Sequence, residues 1–82
     1  MKLPRDITGT QLAHALGRYG YAVTRQTGSH LRLTSTHKGT EHHVTIPDHD
    51  SLRIGTLSAI PRDMAAYLEM ERAALLKALF KE

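Results

Sequence analysis

The sequence predicts an α+β domain of two layers, ordered α-β-β-β-α, with a three-stranded antiparallel sheet and helices on one of its faces. Three observations carry this. Gly28-Ser29 is a turn signal, and the residues after it alternate, with His30, Arg32 and Thr34 against Leu31 and Leu33. A period of two is a strand with two unlike faces. Thr8 to Gln11 fits a capping box, a threonine followed three residues later by glutamine, so a helix starts here. Leu57, Ile60, Met64 and Leu68 recur at helical spacing near the other end. The whole chain, residues 1–82, is read as a single domain, too short for a second core.

Residues 1–7 form a lead-in kept non-helical by Pro4. The first helix is expected from Gly9 to Tyr19, with Ile7 and Leu12 as its hydrophobic staple and Gly20 at the left-handed position after it. Leu12, Leu16 and Tyr19 make its apolar stripe, and His14 faces solvent. Tyr21 to Gln26 reads as the first strand, with Tyr21 and Val23 on one face and Ala22, Thr24 and Gln26 on the other. Thr27-Gly28-Ser29 turns the chain into a second strand, His30 to Thr36. A turn at His37-Lys38-Gly39-Thr40 leads to a third strand, Glu41 to Ile46, with Val44 and Ile46 inward and His43 and Thr45 outward. Pro47 ends that strand because it cannot donate to a ladder.

A polar loop follows, and Gly55-Thr56 opens the next helix with Thr56 as N-cap. Pro61 predicts a kink or a short tight turn. Leu75, Leu76, Leu79 and Phe80 form a last apolar stripe, either an extra C-terminal helix or a continuation of the previous one. Helices then cover the apolar sheet face and leave the face with His30, Arg32, His43 and Thr45 bare.

Composition narrows the function. There is no cysteine, which excludes disulfides, thiolate metal sites and cysteine nucleophiles and makes a reducing cytoplasm the simplest location. No apolar run approaches the roughly 20 residues that cross a bilayer, and the N-terminus lacks the apolar core of a signal peptide, so no membrane association is expected. A net charge of +3 permits a polyanionic partner. The six histidines show no strong metal-ligand spacing: His42 and His43 are adjacent and point to opposite strand faces, while Asp48, His49 and Asp50 read equally well as a solvated turn. No metal or other cofactor is expected. Ser29 and His30 are sequence neighbours, which is not the geometry of a nucleophilic dyad.

Arg5, Arg18, Arg25, Arg32, Lys38 and Arg53 are spread over strand ends and loops, where several can border the bare sheet face. With three tyrosines and one phenylalanine, phosphate contacts would outweigh base stacking. A histidine and a cation on one exposed strand face, beside a tight turn, suit the handling of a phosphodiester. The plain alternative is a solvated, ordinary basic surface.

The chain resembles the HicA-type mRNA interferase toxins of bacterial toxin–antitoxin pairs. The matching features are Tyr19-Gly20-Tyr21 after the first helix, Arg25-Gln26-Thr27-Gly28-Ser29-His30, Val44-Thr45-Ile46-Pro47 with His49, and Gly55-Thr56-Leu57 with Ile60, together spanning residues 8–68. The resemblance implies a fold like a double-stranded-RNA-binding domain and metal-independent cleavage of mRNA. It implies that His30 is the catalytic residue and that a HicB-type antitoxin covers the active face. Arg25, Ser29, Arg32 and Lys38 are the candidate RNA-binding residues. Pro61 and Glu69 depart from the pattern, the latter standing where a helix-ending glycine is usual. The rival reading is a non-catalytic RNA-binding module of the same fold.

Overall fold

A computed structural model describes residues 6–80. The elements are α1 (Gly9–Leu16), a 3-10 turn (Gly17–Tyr19), β1 (Ala22–Thr27), β2 (His30–Ser35), β3 (His42–Pro47), α2 (Ile54–Leu68) and α3 (Arg72–Leu79). The sheet is antiparallel in the order β1-β2-β3, so β2 is central. This is the α+β arrangement that the alternation and the two flanking helices predict. Arg5 and most of the lead-in lie outside the described residues.

Helix α1 begins as its sequence dictates. Thr8 Oγ1 accepts from the Gln11 N–H at 3.0 Å, and Gln11 Oε1 accepts from the Thr8 N–H at 2.9 Å. The expected eleven-residue helix instead tightens into the 3-10 turn after Leu16, and Gly20 follows with φ 82°. On β2, Leu31, Leu33 and Ser35 are buried while His30 and Arg32 are exposed. Val44 and Ile46 of β3 join the inner face. Leu12 and Leu16 of α1 and Leu57, Ile60, Met64 and Leu68 of α2 close over them.

Three further expectations need correction. Val23 pairs with Leu33 and shares its face, but β1 is an edge strand and Val23 is 50% exposed. A β-bulge between Val23 and Arg25 also shifts the phase of β1, so Arg25 pairs with Arg32 and Gln26 with Leu31. Helix α2 starts at Ile54 with Arg53 as N-cap, not at Thr56. Leu52 explains the earlier start, because its buried side chain and its N–H bond to the Ile7 carbonyl fix where the chain enters the helix. Pro61 brings no short tight turn: α2 runs as one helix from Ile54 to Leu68 with Pro61 inside it. Its ring is fully buried, and that burial partly offsets the backbone bond it cannot make.

The C-terminal alternative resolves as a separate helix. Glu69 takes the left-handed conformation, φ 58°, and ends α2; the N–H groups of Glu69 and Met70 both donate to the Ala65 carbonyl. Leu75, Leu76 and Leu79 of α3 are buried. Among the described residues, no helix is long and apolar enough to cross a membrane.

Candidate functional site

Chain reversal places His30. Gly28-Ser29 form a two-residue hairpin turn in which Gly28 has φ 54°, a conformation that glycine adopts without a Cβ penalty. His30 opens β2 with Thr27 opposite on β1 and Pro47 opposite on β3. It therefore stands at one end of the central strand, on the face away from Leu31 and Leu33, and is exposed.

Main-chain contacts fix this end of the sheet. The Asp48 N–H donates to the Ser29 carbonyl at 2.6 Å, and the Gly9 N–H donates to the His49 carbonyl at 3.0 Å. Thr10 Oγ1 reaches Asp48 Oδ1 at 3.4 Å. Gly9 is required here: a Cβ on it would lie 2.3 Å from the Pro47 carbonyl oxygen and 3.0 Å from Asp48 Cα. The loop after β3 thus holds the Gly28-Ser29 turn, while the side chains of Ser29, His30 and His49 stay exposed.

Further along the outer face, Thr24, Arg25, Arg32, Thr34, Glu41 and His43 line a shallow groove. The bulge in β1 creates it by bringing Arg25 opposite Arg32. Like charges directly opposite each other on neighbouring strands destabilise a sheet, so an anion between them would be favourable. A row of polar contacts crosses the strands beside them, hydrogen-bonded from Thr24 through Thr34 to His43 and continued to Glu41 by a charge contact. Thr24 Oγ1 and Thr34 Oγ1 are 2.9 Å apart, Thr34 Oγ1 and His43 Nδ1 2.8 Å, and His43 Nε2 and Glu41 Oε1 3.5 Å.

Of the candidate RNA-binding residues, the structure brings Arg25 and Arg32 together and places Ser29 at the turn beside His30. Lys38 lies elsewhere. It sits in the β2–β3 turn at the opposite end of the sheet, with Nζ 3.0 Å from Glu69 Oε1 and its N–H donating to the Tyr67 hydroxyl at 3.0 Å. Arg18 borders a groove between α1 and α3 on the helical side, with His14 and Leu79. Among the described residues, no three metal-ligating side chains converge. Sequence reasoning missed the Thr24–Thr34–His43–Glu41 row. The outward placement of Thr34 and His43 was its visible signal, and the pairing of the row depends on register.

The HicA toxin family of bacterial toxin–antitoxin systems matches the chain over residues 9–66. The chain belongs to the HicA toxin family. The matched span runs from the start of α1 almost to the end of α2, so it contains the whole sheet and leaves α3 outside. Neither a curated relative nor a solved structure matches the chain. As a HicA-family member, the protein is the toxin of a toxin–antitoxin system.

Proposed function

We propose that this HicA-family toxin is a cytoplasmic, metal-independent mRNA endoribonuclease that uses His30, with a HicB-type protein as its antitoxin. The single observation that carries the RNA reading is the pairing of Arg25 with Arg32 across β1 and β2, on the same bare face as His30. Two cations set against each other on an exposed sheet suit a phosphate chain laid over it. Ser29, at the turn, extends the RNA path, and Lys38, ion-paired with Glu69 at the other end of the sheet, stands apart from it.

Backbone cleavage requires a proton taken from the attacking oxygen and one given to the leaving oxygen. Imidazole is the side chain suited to either transfer near neutral pH. His30 serves one of these steps, and Arg32, two residues on and on the same face, stabilises the charge that develops on the phosphate.

The test is decay of mRNA with wild type and His30→Ala at matched folded concentration, with and without a chelator. Wild-type cleavage should persist in chelator, and His30→Ala should lose about 10²- to 10⁴-fold in rate. Equal decay by both proteins would remove His30 from the chemistry. Loss on chelation with recovery on added metal would overturn the metal-independent reading.

A further inference from the structure

We propose that the outer-face groove is a nucleobase subsite, and that Glu41 and His43 set which base the protein accepts beside the cleaved bond. This rests on the RNA reading above and goes beyond it to sequence preference. The groove has two chemically different halves. Arg25 and Arg32 form a cationic half suited to phosphate. Glu41, just before β3, makes the other half unfavourable to phosphate and favourable to a neutral group that donates hydrogen bonds.

The row across the strands gives that half its geometry. His43 Nδ1 is hydrogen-bonded to Thr34 at 2.8 Å, and Glu41 Oε1 lies 3.5 Å from its Nε2. Thr34 is in turn 2.9 Å from Thr24 in the bulge, whose hydroxyl also reaches the Arg32 carbonyl at 3.4 Å. An imidazole fixed in this way offers a flat surface for a base to stack on. The Glu41 carboxylate has acceptor capacity beyond its contact with His43. A base carrying an exocyclic amino group (guanine, adenine or cytosine) can donate to it, whereas uracil presents a carbonyl oxygen at the corresponding position. Thr34, the β2 member of the row, lies four residues from His30, about 13 Å along the strand. A single strand crossing the sheet from His30 reaches the groove within a few nucleotides.

Short RNA oligonucleotides, identical except for uracil or an amino-bearing base at each position flanking the cleaved bond, test this. Cleavage is followed with wild type, and binding with His30→Ala. At one flanking position, wild type should prefer the amino-bearing base about tenfold or more. Glu41→Gln should bring that ratio close to one, and Thr34→Val, which releases His43 and keeps the β-branched shape, should reduce it. Cleavage with no base preference, or a preference unchanged in both variants, overturns the subsite and leaves the nuclease reading standing. A binding preference erased by Glu41→Gln, with no cleavage by wild type, upholds the subsite and overturns the nuclease reading. Absence of both binding and cleavage overturns both.

Discussion

The two ends of the sheet are tied to the helices by different means. At the Lys38 end, side chains do the tying. The Tyr67 hydroxyl on α2 donates to the Thr40 carbonyl and accepts from the Lys38 N–H. Tyr21 Oη lies 2.6 Å from His42 Nδ1, and the His42 ring stacks on Tyr67. Buried Ser35 donates to the Tyr19 carbonyl and accepts from the His37 N–H. At the His30 end the main chain carries the corresponding bonds, through Gly9 to His49, Asp48 to Ser29 and Leu52 to Ile7. Side chains that hold a fold together are occupied. Where the backbone holds it, side chains such as His30 and Ser29 remain exposed for a substrate.

The largest stability effect should come from breaking the backbone-held end. Gly9→Ala drives a methyl into the Pro47 carbonyl, and backbone on both sides resists the shift. Overpacking of this kind costs about 3 kcal/mol, or more than 10 °C in melting temperature for a domain this small. It should also displace Asp48 from Ser29, so cleavage per folded molecule should fall as well. A variant with wild-type melting and activity would show that the two segments are not packed this closely.

The side-chain end should respond to alkali. Burial, and then the neighbouring Tyr67, push the Tyr21 phenol up to about 12. Its folded-state pKa thus exceeds the unfolded value of about 10. The folded form keeps the proton longer, so this contribution is complete below pH 10 and is lost as pH rises toward 12. The loss is on the order of 2 kcal/mol. Tyr21→Phe should flatten stability over that window. An unchanged pH dependence in the variant would place the titrating group elsewhere.

A smaller effect separates the ends by function. Tyr67→Phe keeps the ring stacked on His42 and removes only the hydroxyl. Two of its partners belong to exposed Lys38 and Thr40, where water can replace it, and the third, the carbonyl of buried Ser35, is a long contact at 3.4 Å, so the cost should be about 1–2 kcal/mol. Chemical denaturation should register this, while cleavage at His30 persists. If cleavage collapsed, the two ends would be coupled through the sheet.

How far the sequence revealed this molecule follows the range over which each feature is determined. The capping box of Thr8 and Gln11 is a rule over three residues, and it holds as written. The split between Leu31 and Leu33 on one side and His30 and Arg32 on the other needs only the period of a strand. The bulge at Thr24 depends on what β1 pairs with, and no local residue announces it. Gln26, placed by simple alternation with Ala22 and Thr24, therefore changes faces without warning. Pro61 illustrates the opposite failure: the local rule against proline is sound, but it takes no account of a ring that finds a place in the core. Gly9 reads as an ordinary helix-start residue until the loop 38 residues later lies against it.

The smallest effect concerns Glu69, whose position after α2 usually belongs to glycine. Its φ of 58° costs an L-residue about 1–2 kcal/mol. Glycine would remove that strain but add roughly 0.5–1 kcal/mol of chain entropy. It would also forfeit the ion pair with Lys38, which is exposed enough on both sides to contribute no more than about 1 kcal/mol. These terms nearly cancel, so Glu69→Gly should alter stability by less than about 1 kcal/mol. Glu69→Ala loses the same ion pair and keeps the strain, so it should be the less stable of the two variants. Lys38→Met, with Glu69 intact, isolates the pair itself. Should Glu69→Ala match or exceed Glu69→Gly, the left-handed turn would not be where the cost lies.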